Sequence, residues 1–467
     1  MTTDNLEIET LKQRAHTLSR ALFLHLDEYI EDFPTGTPQQ LIELIKQITI
    51  ETDKTIQITT DLKKLSLICR SINTLASAMM ILLDHAHTAQ TPRGLAQFLD
   101  KLQMALNKDS KILVTPLADY NYTISNYYPG LDQLLSGTLI PEKNWEVISE
   151  PFCNGLNVVR FPRVERNNVL LHAIFGHEFG HPIAAEFLNT YQKSTEYSQD
   201  LTKLNEQVTI EFKSTFDLET DKVKRTKMHS ELCTIAEEVH RRALEELISD
   251  SVAVMLFGAS ALFAAAEIMI PDGLDILPQH DDFYPPSRYR LRIMYNYLAQ
   301  SGQIEALRSL NVHNDIKPII TALINYIDYI EKQVLDQSDL DTIKSHSLVK
   351  ISYDWLEQTL PRGLLYARET VQEYIFQAIT QTNQVPEALH RIYLGVPPNE
   401  NGIHPNITSV DWRTPIIAGW IYKLFVTTNK EKSWNLKRDS VAEIQALSLK
   451  GVEDALLRLD YSNHSLS

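Results

Sequence analysis

Apolar residues near the N-terminus recur at three- and four-residue steps. Leu11, Ala15, Leu18, Leu22 and Tyr29 fall on one stripe of a helix. "PTGTPQQ" breaks this pattern, and there Thr37 suits a helix cap, Pro38 the first helical position and Gln40 the far corner of a capping box. A third helical stretch is expected from about Asp61 to His87. The period changes after Ser110. "KILVTPL" and "LNVVRFPRV" are short β-type runs, separated by the turn-prone, aromatic "DYNYTISNYYPG". Helix resumes at about Glu165. A polar stretch over 190–240 reads as an inserted helical hairpin, and a long helix follows over "ELCTIAEEVHRRALEELISDSVAVMLFG". Beyond the loop "PDGLDILPQHDDFYPPS", "RYRLRIMYNYLAQ" opens another helix, and from 301 onward the chain is mostly helical with a loop at "GVPPNENGIHPN".

These patterns predict a mainly α (α+β) protein with a small β-sheet in three parts. Residues 1–110 form a helical region, 111–300 a central domain with a helical insertion at about 190–240, and 301–467 a second helical region.

Composition narrows the function classes. The 44 basic residues are outnumbered by 60 acidic ones, net −16, and no dense Lys/Arg run appears, so nucleic acid is not an expected partner. Cys69, Cys153 and Cys233 are widely spaced and odd in number, which fits buried thiols in a reducing compartment rather than a disulfide framework. "MTTDNLEIET" has neither the basic nor the apolar region of a signal peptide, so a cytoplasmic protein is expected. The most lipid-like run, Val252 to Ala266, is interrupted by Gly258 and Ser260. It falls short of the roughly 20 apolar residues that a span needs, which predicts a buried helix and no membrane insertion.

The candidate chemistry sits in "LLHAIFGHEFGHPIAAEFL". Positions i and i+4 lie about 40° apart around a helix, so His177 and His181 project from one face and can share a cation. Zinc accepts imidazole nitrogen at about 2.0–2.1 Å. Glu178, beside the first histidine, is then placed to take a proton from a water that the metal has acidified. Downstream, Glu246 and Asp250 repeat the one-turn spacing in "EELISD". Glu246 can supply a third ligand, and Asp250 can accept the free ring N–H of a ligating histidine. On a semi-buried face such carboxylates are costly without a partner. The contrasting reading has Glu245, Glu246 and Asp250 on a solvated face. His240 competes as a third ligand, His280 as a loop residue entering the cleft. His172 is expected to be packed, and His85 and His87, two residues apart, cannot share an ion.

H-E-x-x-H followed by E-x-x-x-D on a second helix resembles the gluzincin metallopeptidases, and more closely the group containing the HtpX-type and CAAX-prenyl endopeptidases. "YPPSRYRLRIM" is similar to that group's His-Pro-Pro segment leading into an Arg-containing helix, and the resemblance covers about 165–300. It implies a zincin-like core and a zinc endopeptidase acting on protein or peptide, with Zn2+ on His177, His181 and Glu246, Glu178 as base and Asp250 in support. Tyr284 stands where the group has histidine. Tyr284, Arg288 or Arg290 would then steady the oxyanion. Three departures accompany the resemblance. Pro182 follows His181 and predicts a kink or helix end there. A long insertion separates His181 from Glu246, and the membrane spans of the group are missing. The strand Val158 to Phe161, with Pro162 marking an edge, is expected to offer main-chain groups to an extended substrate. The alternatives are a catalytically inactive zincin-like helical scaffold that binds a partner, and hydrolysis of a non-peptide amide.

Overall fold

The computed structural model describes residues 3–465 apart from 30–31, 34–35, 107–108, 277–283, 382–383, 402–407 and 429–439, so His280 lies outside the described residues. The chain divides into two compact units, Met1–Arg166 and Asn167–Ser467. Both are dominated by helix, and the strands are few.

The N-terminal unit begins with α1 (Thr3–Tyr29), α2 (Thr37–Ile58), α3 (Leu62–Ala86) and α4 (Arg93–Leu106). The stripes of the first three meet in one core, which includes Leu22, Leu26, Ile45, Ile68, Leu75 and Leu82. Asp61 caps α3 by accepting from the Lys63 N–H at 2.8 Å, a contact worth about 1 kcal/mol. Thr37 does not cap α2. The helix starts at Thr37 itself, and Gly36, at φ 87°, makes the entry turn without a side-chain cap. Of the described helices, α3 is long and apolar enough to cross a membrane, with a mean hydropathy of 1.5, where the sequence pointed instead to 252–266. Its Leu65, Ile68, Ile72 and Leu75 face the core of this unit.

After α4 come β1 (Lys111–Leu117), β2 (Thr123–Asn126), α5 (Tyr128–Leu135), α6 (Glu142–Ile148) and β3 (Leu156–Pro162). The sheet order is β1-β3-β2. Val158 sits opposite Leu113 of parallel β1 and opposite Ser125 of antiparallel β2. β3 is therefore the central strand, and the substrate edge expected at Val158 to Phe161 is overturned. Val158, Val159 and Arg160 already pair on both sides. The error arose at β2, a short strand inside the stretch that reads as turn.

The C-terminal unit carries the motif helices. A 3-10 turn over Leu171–Ile174 leads into α7 (Phe175–Glu178) and α8 (Gly180–Tyr191). The inserted hairpin is built from α9 (Thr195–Glu211), the short α10 (Lys213–Leu218) and the first turns of α11 (Lys222–Phe257). Asp221 caps α11 through the Val223 N–H at 2.9 Å. The run 252–266 is buried as expected, but it is two helices, α11 and α12 (Ala259–Asp272). Gly258 turns the corner between them at φ 58°. A Cβ there would come within 2.5 Å of Gln303 Oε1.

Next come α13 (Ser287–Gln300), α14 (Gln303–Arg308), α15 (Lys317–Leu335), α16 (Ser338–Ser345) and α17 (Ser347–Thr370). The unit ends with α18 (Ala378–Gln381), α19 (Gln384–Leu394), α20 (Thr414–Thr428) and α21 (Val441–Ser465). A two-stranded pairing of β4 (Glu400–Asn401) with β5 (Thr408–Ser409) lies between α19 and α20. Both α8 and α17 pack along α11, which is thus the central helix of the unit.

Candidate metal centre

Two glycines set how close the motif helices come. Gly176 on α7 and Gly180 on α8 lie one turn apart and face α11. A Cβ on Gly176 would lie 2.8 Å from Ala253 Cα, and one on Gly180 would lie 2.5 Å from Ser249 Cα. Real Cβ atoms do not approach backbone so closely, so only glycine permits this contact. Ser249 and Ala253 are also one turn apart and small. The pairing brings the backbone carrying His177 and His181 against the face of α11 that carries Glu246 and Asp250.

The break that Pro182 imposes falls earlier than the residue itself suggests. Helix α7 ends at Glu178, Phe179 is the junction, and α8 starts at Gly180. Pro182 is then the third residue of α8, in the first turn, where no intrahelical donor is required of it. The expected end of the helix at His181 is therefore a junction at Phe179, and both imidazoles keep a common face. Their ring centroids are 4.7 Å apart and nearly perpendicular.

His177, His181 and Glu246 come together, with one ligand atom from each lying within 4.8 Å of the others. His177 Nε2 is 3.4 Å from Glu246 Oε2. Two donors on one tetrahedral zinc at about 2.0–2.1 Å would be about 3.3 Å apart, so this pair already stands at a ligand separation. Behind each imidazole stands a carboxylate. Asp250 Oδ1 is 2.8 Å from His177 Nδ1, and Glu245 Oε1 is 3.2 Å from His181 Nδ1. With Nδ1 engaged in both rings, Nε2 is the atom each can offer to an ion.

Glu246 is 1% and Asp250 0% exposed, so the solvated-face reading of that helix is excluded for both. Asp250 accepts from Arg290 Nε at 2.7 Å and Nη2 at 2.8 Å, and Arg290 Nη2 also lies 3.3 Å from Glu246. Burial opposes ionisation of Asp250, yet the Arg290 guanidinium and His177 outweigh it and hold the carboxyl well below its usual range. Burial likewise pulls the His177 imidazole down, but Asp250 and Glu246 raise it to about 9. Glu246 is held low by His177 and Arg290 against its burial. The half-buried Glu178 moves the other way. Burial raises its carboxyl, against the pull of His177 and His181.

The remaining candidates separate. Arg290 belongs to the cluster, but its guanidinium is committed to two carboxylates. Arg288 does not face the cluster. It donates to Asp275 Oδ2 at 2.9 Å and to the Gln333 carbonyl, latching the start of α13 to the end of α15, so its expected oxyanion role is corrected. Tyr284 is 37% exposed, with the Arg242 guanidinium 5.2 Å over its ring. His240 is not a ligand. Its ring stacks on Trp355 at 3.7 Å, its Nε2 meets Thr359 at 2.8 Å, and burial lowers it to about 3. His172 is packed at 0% exposure against Phe175.

Sequence reasoning missed Glu245, Gly176 and Gly180. Glu245 lies one turn beyond Arg241 and three residues beyond Arg242, which both reach its Oε2 at 3.3 Å. A pair of small residues four apart within "FGHEFGH" was the available signal for the glycines. No protein-family model matches the chain, and no characterised protein or solved structure matches it either.

Proposed function

We propose that this protein is a zinc-dependent endopeptidase in which His177, His181 and Glu246 hold the cation and Glu178 is the general base. The observation that carries the reading is the His177–His181–Glu246 cluster, whose two imidazoles are each backed at Nδ1 by a carboxylate. Arg290 already compensates the buried carboxylates, and the imidazole Nε2 atoms beside Glu246 leave a donor set that suits a cation. When bound, the ion would polarise a scissile carbonyl and lower the pKa of water from 15.7 towards about 7.

The chain's own residues divide the remaining work. Asp250 and Glu245 hold the two rings in the tautomer that presents Nε2. Arg290 keeps Asp250 and Glu246 ionised and in place. Glu178, adjacent to His177, accepts a proton from the attacking water and returns it to the leaving amine. Tyr284, close enough to Arg290 to act on its charge, is the oxyanion partner in this reading. The substrate class is protein or peptide, and the three free cysteines fit a reducing compartment such as the cytoplasm.

Metal analysis combined with peptide cleavage tests this. Zinc retained by the protein should be lost from this cluster in His177→Ala, whereas Glu178→Gln should keep the metal and lose cleavage. Wild-type protein purified without chelators that holds no zinc would sink the reading. Zinc at the cluster with no cleavage of broad peptide libraries would favour the inactive scaffold instead.

A further inference from the structure

A second group of ligand-type side chains lies outside that cluster. His313 stands just before the 3-10 turn Asn314–Ile316, and Glu387 and His390 project from α19 three residues apart, on one face. One ligand atom from each lies within 4.8 Å of the others. The His313 and His390 rings stack with centroids 4.1 Å apart and 23° between planes, and Tyr393 continues the stack at 6.3 Å from His390. His313 Nε2 is 4.0 Å from Glu387 Oε2. That is too long for a hydrogen bond. It exceeds the about 3.3 Å edge of a tetrahedral zinc site, and stacked rings do not aim their in-plane lone pairs at one point, so ligation requires the exposed His313 side chain to rotate off His390.

We propose that His313, Glu387 and His390 form a second, solvent-facing site for a divalent transition cation. Two imidazoles and one carboxylate suit zinc, copper or nickel, and not the all-oxygen preference of magnesium or calcium. The ion would tie the segment between α14 and α15 to α19. Side-chain exposures of 54% for His313 and 29% for Glu387 leave the position open to water, so solvent would complete the coordination. In the inner cluster His177 and Glu246 are buried and His181 is partly exposed. The two sites share a donor set but no residue, so each can be removed without the other.

Zn2+ is the probe. The full-length chain is stripped with chelator, dialysed against graded Zn2+, and its bound metal counted. Wild type should hold two equivalents. His390→Ala, His313→Ala and Glu387→Gln should each hold one, His177→Ala should retain the outer one, and Mg2+ should fill neither. Circular dichroism checks that the variants are folded, and His313→Ala decides if His390→Ala is not. Equal stoichiometry in wild type, His390→Ala and His313→Ala overturns the outer site, whatever that number is. One equivalent lost only in His177→Ala overturns the outer site and leaves the peptidase reading intact. One equivalent lost only in His390→Ala supports the outer site and overturns the inner one.

Discussion

Asp250→Asn is the most discriminating change at the inner cluster because it keeps the side-chain shape and removes the charge. Asp250 accepts three hydrogen bonds: Oδ1 from Arg290 Nη2 and the His177 ring, and Oδ2 from Arg290 Nε. Asparagine has one carbonyl oxygen. Placed at the Oδ1 position it serves two of these donors, and its amide then faces Arg290 Nε, donor against donor. One hydrogen bond to a charged group is lost, worth about 1.5–3 kcal/mol. Arg290 is also left buried with Glu246 alone, and breaking a buried ion pair costs about 3–5 kcal/mol. Metal-free protein should therefore lose about 3 kcal/mol or more in urea denaturation. Zinc affinity should fall about 10–100-fold, the usual effect of removing a partner that orients a ligating histidine. A chromogenic chelator in competition reads that affinity. Folded Asp250→Asn that binds zinc as tightly as wild type would refute the role given to this carboxylate.

Glu245→Ala should weaken inner-site zinc binding by about tenfold through His181 alone, with less loss of stability than Asp250→Asn, both read in the same competition assay. Arg288→Ala should lower stability by about 1.5–3 kcal/mol while leaving the cleavage rate of folded protein unchanged, since its partners are Asp275 and the Gln333 carbonyl. Gly180→Ala should cost about 1–3 kcal/mol and abolish inner-site zinc binding, because the added methyl would meet Ser249 backbone. His240 gives a pH signature. Its folded pKa, about 3, lies below the unfolded value of about 6.5, so its neutral form contributes fully above pH 6.5, and that contribution falls by about 1.4 kcal/mol per pH unit as the pH drops towards 3. Denaturation at pH 5 and pH 7 should show a smaller difference in His240→Gln, and an unchanged difference counts against the buried neutral imidazole.

The spacing of His177 and His181, and of Glu246 and Asp250, was legible because a helix turns every i,i+4 pair into a shared face. That the two faces meet was not legible. It depends on Gly176 and Gly180 seating on Ser249 and Ala253, a tertiary contact between segments far apart in the chain. Pro182 was read correctly as a disruptive residue, but its strain is relieved at Phe179 because the junction can form before the proline ring meets the Glu178 carbonyl. Arg288 and Arg290, two residues apart, face roughly opposite sides of α13, and only their packed partners distinguish the one that meets Asp250 from the one that meets Asp275. The helix starting near Asp61 was visible in outline, whereas the long helix expected from Glu231 begins at Lys222, its cap at Asp221 lying in a polar stretch with weak periodicity. The strand Thr123–Asn126 was not visible, since four residues among turn formers show no alternation long enough to detect, and missing it made β3 look like an edge.

The glycine contact between α7–α8 and α11 implies that the ligand spacing is inherited from main-chain packing and does not have to be created by an arriving ion. Metal uptake would then proceed without a coupled folding transition, unlike small domains that are unfolded when apo. Chelation should strip the protein reversibly with its helicity intact, and restored zinc should regain the original affinity without a refolding lag.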